Sequence, residues 1–163
     1  MAATKILVLL GGVLLSSLMA AVEAIDPYTA PGSSQRINAT VVQGYVFCQN
    51  CYKDWSRHLG VHPGAEVSVE CTAISTGKLV ALGKGVSREN GYVEIRLDGY
   101  DYSSKLKIHR CLAKIVRSRD PSCDYRTNVN SGYSGAKPQF SGVAGNIAYF
   151  TTNAFSFTPM CSY

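Results

Sequence analysis

Apolar and polar residues alternate along much of the chain with a period of two, the pattern of strands with one buried and one wet face. The clearest case is Val67, Val69, Cys71 and Ala73, which interleave with Ser68, Glu70 and Thr72. Ahead of it, Val42, Gly44, Val46 and Cys48 share one face of a segment whose other face carries Val41, Gln43, Tyr45 and Phe47. Ser75-Thr76-Gly77 turns the chain into a third strand, with apolar positions at Val80, Leu82 and Val86. Asn90-Gly91 predicts a type I′ hairpin, in which both turn residues need positive φ. Val93, Ile95 and Leu97 follow on one face, and Leu106 to Val116 returns to strand-like composition around Cys111. Phe155, Phe157, Pro159 and Cys161 place the C-terminus in the core at period two. Only the stretch between Cys51 and Leu59 suggests a helix. Arg119 to Gln139, rich in Gly, Asn, Ser and Pro, is too long for a bland connector and is expected either to serve a function or to be pinned by Cys123. Short strands at roughly ten-residue spacing predict an all-β sandwich or small barrel.

The first 24 residues break this pattern. Lys5 precedes an uncharged stretch from Ile6 to Met19, and Val22-Glu23-Ala24 offers small residues at a cleavage point, so 1–24 reads as a secretory signal peptide. The apolar run falls short of the roughly 20 residues a membrane-spanning helix needs, and no later segment is long enough. Residues 25–38 form an aperiodic arm, and 39–163 form one β domain. A composition of 46% hydrophobic and 17% charged residues excludes a disordered chain. Secretion places the six cysteines in an oxidising compartment, where an even set is expected to pair. It also sets nucleic acid aside as a partner for the +5 net charge. Asn38-Ala39-Thr40 is the one glycosylation sequon, with Asn38 as acceptor.

Cys48-Gln49-Asn50-Cys51 lacks the βαβ context of a redox CxxC. Zinc held by Cys48, Cys51, His58 and His62 is disfavoured by the six-residue gap between Cys51 and His58. Structural bridging is the expectation, with 15 connectivities open. The segment Gln43-Gly44-Tyr45-Val46-Phe47-Cys48-Gln49-Asn50-Cys51, the spacing of Cys48, Cys51, Cys71, Cys111, Cys123 and Cys161, the run Ile115-Val116-Arg117-Ser118 and the ending Phe155 to Cys161 carry a resemblance. The chain resembles the pollen allergen (Ole e I-like) and extensin family of secreted plant proteins, most of all the cysteine-containing domain of pistil-specific extensin-like and non-classical arabinogalactan proteins. Only Pro27 and Pro31 precede the domain, so the resemblance does not extend to the Pro-rich stalk of those relatives. It implies a small antiparallel β-barrel or sandwich of about seven strands with three disulfides: Cys48–Cys123, Cys51–Cys161 and Cys71–Cys111.

No motif ties His58, His62 or His109 to a nucleophile, and the pairs Asp98/Asp101 and Asp120/Asp124 fit turn-capping carboxylates better than a glycosidase dyad. No enzyme activity, metal or cofactor is therefore expected. Charge is the better functional signal. Lys105, Lys107, His109, Arg110, Lys114, Arg117 and Arg119 form a run with no acid until Asp120, suited to the carboxylates of pectin-like polysaccharides. Its bland counterpart is a solvated strand face that protects a sheet edge. Tyr100 and Tyr102, with Tyr52, Trp55, Tyr125 and Tyr133, fall in predicted loops, where aromatic rings can pack on sugars. The expected protein is a secreted, monomeric, non-enzymatic cell-wall component binding acidic or neutral wall polysaccharides or wall glycoproteins. The alternative from another class is a secreted ligand for a receptor or partner protein.

Overall fold

The computed structural model describes residues 36–51, 58–102 and 109–161. Its strands are β1 (Ala39–Gln49), β2 (His58–Val61), β3 (Glu66–Ala73), β4 (Leu79–Val86), β5 (Tyr92–Asp98), β6 (His109–Arg117), β7 (Tyr125–Arg126), β8 (Gln139–Ala144), β9 (Ile147–Thr151) and β10 (Phe155–Thr158). A short 3-10 turn lies at Val129–Ser131, and among the described residues no helix is long and apolar enough to cross a membrane. The part of the Cys51–Leu59 stretch expected to be helical lies largely outside the described residues, and its end, His58–Val61, is strand.

β1 is the spine. Its first half is flanked by antiparallel β5 and parallel β9, its second half by antiparallel β2 and parallel β10. β8 extends β9, and β7 extends β10. A second sheet, in the order β4-β3-β6, is antiparallel throughout. The sheets do not close on each other, so the molecule is the open member of the barrel-or-sandwich pair, with parallel ladders where β1 meets the C-terminal strands. The core contains Val42 and Val46 of β1, Val67, Val69 and Cys71 of β3, Ile95 and Leu97 of β5, Ile115 of β6, Phe150 of β9, and Phe155 and Phe157 of β10. Because β1 is paired on both edges and covered at its start, Val41 on its second face is buried as well. Ile37, assigned to the arm, already packs on this core, and the Asn38 N–H donates to Asn146 O at 2.8 Å.

Two turn and strand expectations are corrected. Asn90-Gly91 does not form a type I′ hairpin: Gly91 has φ 75°, whereas Asn90 stays in the ordinary negative region. The Gly91 N–H closes on Arg88 O at 2.8 Å and the Arg88 N–H on Tyr92 O at 2.8 Å, a longer loop ending in a left-handed glycine. The strands it joins belong to different sheets, since β4 pairs with β3 and β5 with β1. On β4, the apolar residues face out: Val80, Leu82 and Val86 are 43%, 50% and 42% exposed. The inward positions are Ala81, Gly83 and Gly85, opposite Cys71, Val69 and Val67. A Cβ on Gly83 would stand 2.5 Å from Leu97 Cδ2, and one on Gly85 would stand 2.7 Å from Glu94 O. Missing side chains let β5 lie directly against β4, so glycine occupies the buried face and the branched residues take the other.

Candidate functional site

Three disulfides tie the site-bearing segments together: Cys48–Cys123, Cys51–Cys161 and Cys71–Cys111. The last crosses β3 and β6 at directly paired positions. Near the first lies His62, with its imidazole tilted against the Phe157 ring at 5.2 Å and its Nε2 bonded to Ser118 Oγ at 2.7 Å. Burial holds this imidazole below its ordinary value, and the Asp120 carboxylate partly offsets the effect. Cys48, His62 and Cys123 form a cluster of potential metal ligands among the described residues, but its two sulfurs are bonded to each other. Ser118 Oγ also accepts the Asp120 N–H at 2.9 Å, while Asp120 caps Ser122 through both its N–H and hydroxyl. Asp98 pairs with Arg96. Asp98 and Asp120 therefore act locally, as turn carboxylates do.

Two members of the cationic run, Lys114 and Arg117, are paired with acids across the sheet. The run's outward residues on β6 stand beside β3, whose wet face carries Glu66 and Glu70. Arg117 Nε meets Glu66 at 2.6 Å, Lys84 of β4 meets the same carboxylate at 3.4 Å, and Lys114 meets Glu70 at 3.3 Å. The Arg117 hydrogen bond is the main cause holding the Glu66 carboxyl below its ordinary value. Lys114 and Arg117, which meet no acid along the chain, are thus neutralised across the sheet. Arg119 is exposed and lays its aliphatic stem against Gly64. Lys105 and Lys107 lie outside the described residues, as does the His109 side chain. Arg110 lines a cleft with Lys137, Ile74 and Leu112. No carboxylate among the described residues pairs with Arg110 or Lys137.

Tyr100 and Tyr102, expected as loop ligands, are corrected to core residues, 6% and 1% exposed. Thr40 Oγ1 donates to Tyr100 O at 2.8 Å and accepts the Tyr102 N–H at 3.0 Å, which pulls this segment over the start of β1. The Tyr102 ring packs on Phe150 at 4.9 Å. Burial pushes the Tyr100 phenol up to about 12, with the neighbouring Tyr102 and Asp101 adding to the rise. Tyr52 and Trp55 lie outside the described residues.

Tyr125 and Tyr133 behave otherwise. They are 52% and 56% exposed and line a shallow cleft with Asp124 and Arg126. The Arg126 guanidinium lies 4.7 Å from the Tyr133 ring centroid, a cation–π contact that restrains both side chains. The long segment presenting them is pinned throughout. Cys123 is bridged to β1, and the Thr127 hydroxyl donates to Ser156 O at 2.7 Å. Asn128 Oδ1 accepts the Ser134 N–H at 2.9 Å, Asn130 Nδ2 donates to Ala154 O at 2.7 Å, and Ala136 bridges Ala113 of β6. Buried Gln49 accepts from Ser156 Oγ at 2.8 Å, extending this network to the end of β1. The result is a fixed loop carrying two exposed tyrosines, a cation and a carboxylate. Sequence reasoning marked Tyr125 and Tyr133 but missed Arg126 and Lys137. Neither stands in a charge run, and the one legible signal was Arg126 directly following Tyr125.

Fold and site together define an all-β, disulfide-bridged sandwich presenting a pinned aromatic loop. Among solved structures it is similar to the major plantain pollen allergen Pla l 1, with a TM-score of 0.50 at 18% identity, covering 77% of this chain and 97% of that one. At that identity the likeness is one of fold. No family model and no curated protein matches the chain.

Proposed function

We propose that this is a secreted, non-enzymatic plant extracellular protein of the pollen-allergen type, associating non-covalently with wall polysaccharides or glycoproteins. The fold likeness to a plant pollen allergen and the three disulfides support the class and the compartment. The observation that carries the binding function is the cleft of Tyr125, Tyr133, Arg126 and Asp124. Tyrosine offers an apolar ring to a sugar face and a hydroxyl to its rim, Arg126 can grip a uronate, and Asp124 can accept from sugar hydroxyls. Because bridges and hydrogen bonds already hold the loop, little ordering entropy remains to oppose binding. Arg110 and Lys137 supply a second, purely cationic contact at the other cleft.

A glycan array including demethylated pectin, read at two salt concentrations, tests this. Replacing Tyr125 and Tyr133 together by Ala should weaken binding about fivefold or more, at about 0.5–1.5 kcal/mol per ring. Arg110→Ala with Lys137→Ala should reduce the salt-sensitive part, leaving the share carried by Arg126. Lys114→Ala with Arg117→Ala should change little, because Glu70 and Glu66 already occupy those cations. Array binding that survives loss of both tyrosines sinks the proposed site. The receptor-ligand alternative draws on Tyr45, Phe47 and Val61, a cluster on the outer face of β1 and β2 with Tyr92 5.6 Å from Tyr45. A salt-insensitive protein complex lost on replacing Tyr45 would favour it.

A further inference from the structure

The sequon Asn38-Ala39-Thr40 is divided by the fold. The Asn38 side chain is exposed, so a glycan there projects into solvent. Thr40, whose hydroxyl forms the other half of the acceptor signal, is 1% exposed. Its Oγ1 is used twice, donating to Tyr100 O and accepting the Tyr102 N–H. The backbone around it is closed on both edges. Ala39 pairs with Asp98 of β5 and Ile147 of β9, Thr40 with Leu97 and Ala148, and the Gly99 N–H donates to Asn38 O at 2.7 Å. A transferase that must bring the Asn38 amide and the Thr40 hydroxyl together has no access to the hydroxyl in this state.

The geometry points to Asn38 as an N-glycosylation site that is open only before the sheet closes. In the transfer, Asn38 Nδ2 bonds to C1 of the first sugar of a lipid-diphosphate-linked oligosaccharide. The C1–O bond to the diphosphate breaks, the lipid diphosphate leaves with that electron pair, and Nδ2 gives up one proton. Chain order provides the interval. The groups that bury Thr40 Oγ1 lie 60 and 62 residues later, and β9 lies later still. At about 5–20 residues per second, the hydroxyl stays readable for roughly 3–12 s after it is made. Occupancy is therefore set by a race between transfer and folding, and is fixed once Tyr100 and Tyr102 dock.

The test uses full-length mature chain made without glycan, either oxidised and folded or reduced and alkylated. Each is incubated with oligosaccharyl transferase and a lipid-diphosphate oligosaccharide, and modification is read by mass at the Asn38 peptide. The reduced chain should be modified at least tenfold faster than the folded one. Secreted protein from a eukaryotic host should carry the glycan, with Asn38→Gln lacking it. Thr40→Ser, which retains the hydroxyl, should keep it. Equal rates on folded and reduced chain would overturn the timing, and a secreted chain with bare Asn38 would overturn the site.

Discussion

His62 shows how one buried side chain couples this fold to pH. Its neutral form is favoured in the folded state, so the stability it contributes is complete above its ordinary 6.5 and is lost as pH falls from there toward the lowered folded value. The melting temperature should therefore drop as pH falls below about 6.5, and His62→Gln should flatten that part of the profile. Glu66 and Asp120, both held below their ordinary 4.5 and 3.8, add losses of the same sign at lower pH, so the two windows separate in a thermal titration. Gly85 is the other single residue with a sharp consequence. Because a Cβ there meets backbone rather than a movable side chain, Gly85→Ala should cost about 1–3 kcal/mol by overpacking, measured by denaturant unfolding. Gly85 and Gly83 also explain why the apolar residues of β4 lie on its exposed face. A hydrophobic pattern weighs Val80 and Leu82 and gives glycine no vote, although close approach of β5 makes glycine the buried residue.

At the level of elements, β4 and β5 make a contrasting pair. Leu82 of β4 faces water and Ile95 of β5 faces the core. Leu82→Ser should leave stability within about 0.5 kcal/mol, while Ile95→Ala should cost about 2–5 kcal/mol through lost transfer energy and a cavity. Finding the two equal in urea unfolding would mean that β4 is inverted relative to this structure. β1, β3, β5, β6 and β10 were all visible in the alternation of apolar residues, because each keeps one face against the core. β2, β7, β8 and β9 were not. β2 and β7 are short, β8 is only partly buried, and β9 buries just Ala148 and Phe150, a stripe too short to stand out along the chain.

For the whole molecule, the bridges decide how the ends are kept. Cys51–Cys161 spans 110 residues and ties the C-terminal segment to the end of β1. Replacing both by Ser should cost about 2–5 kcal/mol. Reduction of all three bridges should unfold a domain whose total stability is about 5–15 kcal/mol, and a reduced sample with an unchanged melting temperature would contradict this. By itself the sequence determined the all-β class, because period-two alternation is a local property of a strand that buries one face. It also marked Tyr125 and Tyr133 and the sequon at Asn38. Only the tertiary structure decided which strands meet, and with that the chemistry of the surface. It set Glu66 and Glu70 against a run of cations that looks unopposed along the chain, and drew Tyr100 and Tyr102 into the core. It also placed Arg126 over Tyr133, on a loop that no periodicity describes. Charge neutralisation and burial are settled between residues 18 to 62 positions apart, whereas local pattern reports only what neighbours in sequence have in common.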